Sequence, residues 1–114
     1  MNIASARIIP DDPLGFIRRC IRQGNILWTY HVNMRMKDRL ISRHMIVESA
    51  DDYEIIESYP EDKYLPSYLV YSSYQNSIFH VLFAVDVENM NVRVITAYRP
   101  NAQEWSIDFK RRRK

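Results

Sequence analysis

The chain has 114 residues, 46% of them hydrophobic and 12% aromatic, with a formal net charge of +2. That length and composition fit one globular domain large enough for a real core. The single cysteine, Cys20, excludes an intramolecular disulfide and a cysteine-rich zinc site.

The charge is unevenly spread. Residues 110–114 are all basic, so the preceding body carries a net −3. A basic tail on a slightly acidic body reads either as a solvated helix end, which Lys and Arg suit, or as a weak attraction for nucleic acid. No apolar run approaches the ~20 residues of a membrane span. The opening "MNIASARIIPDDP" also lacks the apolar core of a signal peptide. The expectation is a cytoplasmic protein with no membrane partner. It is read as a single domain over 1–114, with residues 1–10 as an N-terminal extension and 110–114 as a basic tail.

Asp12-Pro13 is a good N-cap and first-turn pair, and Gly24 a good stop, which predicts a helix over 12–23. Phe16, Ile17, Cys20 and Ile21 form its inward stripe, and Arg18, Arg19 and Arg22 face out. A second helix is expected over 29–40, and a third is capped by Ser42 and runs to about Ala50. After Asp51-Asp52 the pattern turns to strands over 53–58, 67–74, 77–86 and 91–98. In the last of these, simple alternation puts Val92, Val94, Thr96 and Tyr98 on one face and Arg93, Ile95 and Ala97 on the other. Short loops at 75–76 and 87–90 imply antiparallel neighbours. Pro100 and Asn101 then lead into a closing helix with Trp105 and Phe109 on its packing side. The expected fold is α+β: N-terminal helices packed on one face of a four-stranded antiparallel sheet, with a closing C-terminal helix.

Within the second helix, "TYHVNMRMKDRLIS" (29–42) sets His31, Arg35 and Arg39 at four-residue steps, on one strip flanked by apolar residues. A histidine exchanges protons near neutrality, and arginine is a permanent fork donor for phosphate oxygens. Metal-independent RNA cleavage uses both kinds of group: a base for the ribose 2′-hydroxyl, donors for the phosphorane and an acid for the leaving oxygen. The same strip also reads as a solvated face, with Asp38 as an ion-pair partner. His80, mid-strand, reads as a hydrogen-bonded sheet histidine, and His44 as exposed. Glu57, Glu61 and Asp62 read as turn chemistry around "YPEDKY". The histidines lack zinc-ligand spacing, so no metal and no cofactor is expected. There is no glycine-rich phosphate loop and no nucleophile elbow. Tyr59, Tyr64, Tyr68, Tyr71 and Tyr74 bracket one hairpin, where they either pack the core or offer faces for single-stranded bases.

Four stretches carry a resemblance: "HVNMRMKDRLIS" (31–42), "IIESYPEDKYLPS" (55–67), "FHVLFAV" (79–85) and "VITAYRP" (94–100), with Trp105 following. In this order they resemble a widespread prokaryotic family of domains of unknown function, over residues 28–113. That family looks like a distant member of the RelE- and BrnT-like group of small ribonuclease toxins. The resemblance implies metal-independent endoribonuclease activity, a face joining the second helix to the last strands, and a neighbouring antitoxin. His31 and Arg35 match the family's H-x-x-x-R, Thr96 and Tyr98 its T-x-Y, and Lys63 and Ser67 its central loop. Relatives commonly carry an acidic residue where this chain has Arg99. The leading expectation is therefore a small ribonuclease, the toxin of a toxin–antitoxin pair. His31, Arg35 and Tyr98 would do the chemistry, and Arg39, Lys63 and Arg99 would contact RNA. The competing expectation is a non-catalytic module that binds protein or RNA.

Overall fold

The first helix begins and ends as its capping residues require. The Asp12 carboxylate accepts the Gly15 N–H at 3.0 Å, and Gly24 closes the helix in the left-handed region at φ 75°. This computed structural model describes residues 8–113. Most of the expected N-terminal extension (1–7) and the last residue of the basic tail, Lys114, therefore lie outside the described residues.

Helix α1 (Pro13–Gln23) buries Phe16, Ile17, Cys20 and Ile21 as its stripe predicts. Arg18 does not face solvent as expected. Its guanidinium donates to the carbonyls of Ala50 at 2.9 Å and of Asp51 and Tyr53 at 3.1 Å. These carbonyls lie in and around a short 3-10 turn, Ala50–Asp52, which Arg18 thereby ties to α1. Helix α2 (Tyr30–Asp38), capped by the Thr29 hydroxyl, buries Val32 and Met36. It ends where Leu40 turns left-handed at φ 58°, and Leu40 and Met34, two of the apolar residues expected to flank the polar strip, are both exposed. Helix α3 (Arg43–Glu48) starts at Ser42, as expected, and buries Ile46.

Among the described residues the sheet has five strands, not four. Strands β2 (Glu54–Tyr59), β3 (Ser67–Tyr74), β4 (Ser77–Asp86) and β5 (Asn91–Tyr98) form the expected antiparallel meander. An additional strand, β1 (Ile26–Trp28), lies parallel to β5, with Ile26 opposite Val92 and Trp28 opposite Val94. The order is β1-β5-β4-β3-β2, so the sheet is mixed and the fold is α+β. Three residues between a helix stop and a helix cap give too short an alternation to announce a strand. Its partner lies some sixty residues on, which local pattern cannot indicate.

One face of the sheet carries Val70, Phe79, Val81, Phe83, Val85, Val92, Val94 and Ala97, and packs with the helices into a single core. On the opposite face, two β-bulges decide which side chains appear. One falls between Ile55 and Glu57 in β2; the other is in β5, where Leu82 pairs Thr96 but Phe83 pairs Val94. Each bulge inserts one residue and reverses the alternation beyond it. Ala97 therefore points into the core, while Thr96 and Tyr98 join Leu82 and His80 on the outer face. Simple alternation had put Thr96 and Tyr98 on the core side with Val94. The bulge in β2 likewise turns Glu57 and Tyr59 outward.

Among the described residues no closing helix forms. After Asn101 caps a single turn, Ser106 and Asp108 hydrogen-bond each other and nearby backbone, which competes with helical bonding. Phe109 turns left-handed at φ 61°, and the chain doubles back so that Arg112 bridges Trp105. This segment covers part of the outer face. Trp105 is fully buried against the His80 ring at 4.5 Å between centroids. No helix among the described residues is long and apolar enough to cross a membrane.

Candidate functional site

The outer face is only partly covered, and three concavities follow one another along it. The middle one, about 340 Å³, is lined by Glu57, Tyr59, Asp62, Leu69, Leu82, Thr96, Tyr98 and Arg112. Tyr98 also lines a second, of about 380 Å³, with Arg39, Arg99, Pro100, Asn101 and Glu104. Asp62 also lines a third, of about 250 Å³, with Lys63, Ser67, Arg93 and Ile95 among its walls. The two shared residues make these concavities one discontinuous groove across the sheet.

At its centre is a tight polar cluster. The Arg112 guanidinium lies over the Trp105 ring at 4.5 Å, donating from Nε to Glu57 Oε2 at 2.7 Å and from Nη2 to Oε1 at 3.2 Å. The Tyr59 hydroxyl also donates to Glu57 Oε1. Burial alone would raise the Glu57 pKa, but the hydrogen bonds from Arg112 and Tyr59 outweigh it and hold the carboxyl below its ordinary range. The same bond to Glu57 raises the Tyr59 phenol, and burial pushes Tyr98 up to about 12. Both phenols are therefore neutral hydrogen-bonding groups at neutral pH.

Behind Tyr98 sits His80, completely buried. Its Nε2 is 2.8 Å from the Phe109 carbonyl oxygen and its Nδ1 is 3.3 Å from the Tyr98 hydroxyl. This is the hydrogen-bonded sheet histidine the sequence suggested. Burial lowers its pKa, against the opposing pull of the Phe109 carbonyl and Glu57. His44 is exposed, as expected, with Nε2 3.2 Å from the Tyr74 hydroxyl.

The six residues singled out from the sequence divide. Tyr98, Arg39, Arg99 and Lys63 all line the groove. His31 and Arg35 are exposed on α2 and line none of its three parts. The four-residue step carries the strip along α2 to Arg39, whose Nη1 donates to the Ala97 carbonyl at 2.7 Å. Arg99 also serves the fold: Nε donates to Arg39 O at 3.2 Å, Nη2 to Leu40 O at 2.8 Å, and Nη1 to the Ser77 hydroxyl. An acidic side chain there could make none of these bonds. Lys63 lies 5.2 Å from the centroid of the Tyr64 ring.

Sequence reasoning missed Glu57 and Arg112 as site residues and named Tyr59 only among the hairpin tyrosines. Glu57 was assigned to turn chemistry, and Arg112 to a tail that instead folds back onto the sheet. Lys110 does the same, pairing with Glu54 at 3.0 Å. The available signal was that Glu57, Tyr59 and Asp62 all fall within one motif, "IIESYPEDKYLPS". Among the described residues no group of three His, Cys, Asp or Glu side chains is disposed to hold a metal ion.

Residues 28–99, more than half of the chain, match the family described as Domain of unknown function (DUF4258). No curated protein and no solved structure matches the chain. The chain belongs to the DUF4258 family.

Proposed function

We propose that this protein is a small metal-independent endoribonuclease that lays single-stranded RNA along the outer-face groove. The observation that carries the reading is the groove itself. Side chains from β2, β5 and the C-terminal segment meet there: a phenol, a carboxylate and a guanidinium at the centre, with further cationic side chains on both flanks. Attack of a 2′-hydroxyl on the adjacent phosphorus needs an acceptor for the hydroxyl hydrogen and donors for the phosphorane oxygens. Glu57 is the base for that hydrogen and Tyr98 a neutral acceptor that orients the hydroxyl, Arg112 and Arg39 are the donors, and the proton taken by Glu57 passes to the leaving 5′-oxygen. Tyr59 and Tyr98 over a floor of Leu69 and Leu82 offer aromatic faces on which bases stack.

In this reading His31 and Arg35 extend the phosphate path along α2 from Arg39, and Lys63 with Arg93 continues it at the far end. The resemblance of the motifs to RelE- and BrnT-like toxins supports the reading. It further suggests the toxin of a toxin–antitoxin pair, with an antitoxin as partner. The test is cleavage of a labelled RNA in excess EDTA by wild type, Tyr98→Phe and His31→Ala, scored for 2′,3′-cyclic phosphate ends.

A second reading, a non-catalytic binding module, is favoured by the roles of Arg39 and Arg99. Both commit guanidinium nitrogens to backbone carbonyls, as members of a structural network do. RNA affinity without cleavage by any variant distinguishes it.

A further inference from the structure

We infer that His80 is a positioning residue that turns the Tyr98 hydroxyl into a fixed hydrogen-bond acceptor, so that the groove recognises the ribose 2′-hydroxyl and selects RNA over DNA. The inference rests on the RNA reading above and names the atom that reads the sugar. The Phe109 carbonyl can only accept, so the Nε2 facing it at 2.8 Å carries the imidazole hydrogen. In the neutral ring Nδ1 is then bare, and the group facing it, at 3.3 Å, is the Tyr98 hydroxyl. The phenol hydrogen is thereby directed inward, away from the groove that Tyr98 lines. A phenol has one hydrogen and acceptor lone pairs, so what remains for a ligand is acceptor capacity only.

The imidazole is held in this role from every side. Trp105 and Tyr98 pack edge-on at 4.5 and 5.3 Å between centroids, and the tilted Tyr71 ring lies at 6.1 Å. Of the charged groups near it, Glu57 favours the imidazolium and Arg112 opposes it, while burial favours the neutral ring. An acceptor-only phenol does not suit a phosphate oxygen, which brings no hydrogen at neutral pH. It does suit a hydroxyl donor, and the 2′-hydroxyl is the donor that separates RNA from DNA. The cations on both flanks serve the backbone of either nucleic acid alike.

Two measurements on the full chain test this. Long-range 1H–15N correlation spectra at neutral pH report the His80 tautomer. The hydrogen is expected on Nε2, and a hydrogen on Nδ1 overturns the inference. Fluorescence anisotropy then compares a short single-stranded RNA with the same sequence as DNA and as 2′-fluoro RNA, which has no 2′-hydroxyl to donate. Wild type should prefer RNA over both by about tenfold, the worth of one good hydrogen bond. Tyr98→Phe, which keeps the ring, should bring RNA down to the DNA level. His80→Gln should do the same in part, and if it fails to fold, Tyr98→Phe carries the test alone. An RNA preference untouched by Tyr98→Phe overturns the inference, even if RNA is cleaved. A preference lost in Tyr98→Phe supports it, even if no strand is cut and the ribonuclease reading fails. No affinity for any strand overturns both.

Discussion

Arg112 and Glu57, separated by 55 positions in the chain, form a two-bond fork across the outer face of the sheet, at 2.7 and 3.2 Å. The fork ties the doubled-back C-terminal segment to β2 and places a guanidinium at the centre of the groove. Glu57 is half-buried, whereas the Arg112 side chain is 55% exposed, so solvent screens the pair. Arg112→Ala should lower stability by about 1–2 kcal/mol, counting a modest ion pair and the lost stacking on Trp105. Chemical denaturation checks this. A variant as stable as wild type would show that Trp105 and the Phe109 carbonyl hold the segment without the fork.

Arg99 clamps the end of α2. It donates to the carbonyls of Arg39 and Leu40, beside the left-handed Leu40 at φ 58°. Arg99→Lys keeps the charge but loses the fork. It should cost about 1–2 kcal/mol and lower the melting temperature by several degrees, with RNA affinity little changed. Leu40→Gly should act in the opposite sense. Leucine pays a steric penalty in the left-handed region that glycine does not, and at 78% exposure Leu40 returns little burial. A gain of about 0.5–1 kcal/mol is expected, and a loss would show that the Leu40 side chain packs in solution.

The pH dependence of stability carries two separable steps. His80 has a folded-state pKa below its ordinary 6.5 because burial disfavours the imidazolium. The unfolded chain therefore takes the proton first. The stability His80 contributes is fully present above pH 6.5 and falls as pH drops below it. Glu57 is held below its ordinary 4.5, so its contribution is present above that value and falls as pH drops further. Urea midpoints from pH 8 to pH 3 should show the first decline in wild type and not in His80→Gln. A decline of equal size in both would show that His80 does not carry the step.

Arg35→Ala should leave the melting temperature unchanged, because Arg35 is exposed on α2. If the strip His31–Arg35–Arg39 carries RNA phosphates, the same substitution should weaken binding evenly across sequences and reduce the salt slope by about one. A large drop in melting temperature with unchanged affinity would assign Arg35 to the fold.

The capped helices and the meander were legible because each rests on local chemistry: Asp12-Pro13, Gly24, Ser42 and alternating apolar residues. What escaped were features set by non-local pairing or by one inserted residue. Strand β1 exists only because β5 offers it an edge. The bulges that turn Glu57, Tyr59, Thr96 and Tyr98 outward leave no mark that distinguishes Ile55-Ile56 or Ile95 from ordinary strand residues. The face of each candidate residue was therefore the least legible property, although Tyr98 itself was named. The closing helix was misjudged because Trp105 and Phe109 have helical spacing, while the side-chain bonds of Ser106 and Asp108 decide the backbone. The strip on α2 was visible, but not that only its Arg39 end reaches the groove.

The most direct test of the groove as the RNA site is cleavage in excess EDTA by wild type, Tyr98→Phe and His31→Ala, purified identically. The account predicts 2′,3′-cyclic phosphate ends from wild type, a loss of about two orders of magnitude or more in Tyr98→Phe, and only weakened binding in His31→Ala. Full activity in Tyr98→Phe with none in His31→Ala would contradict it and move the chemistry to α2.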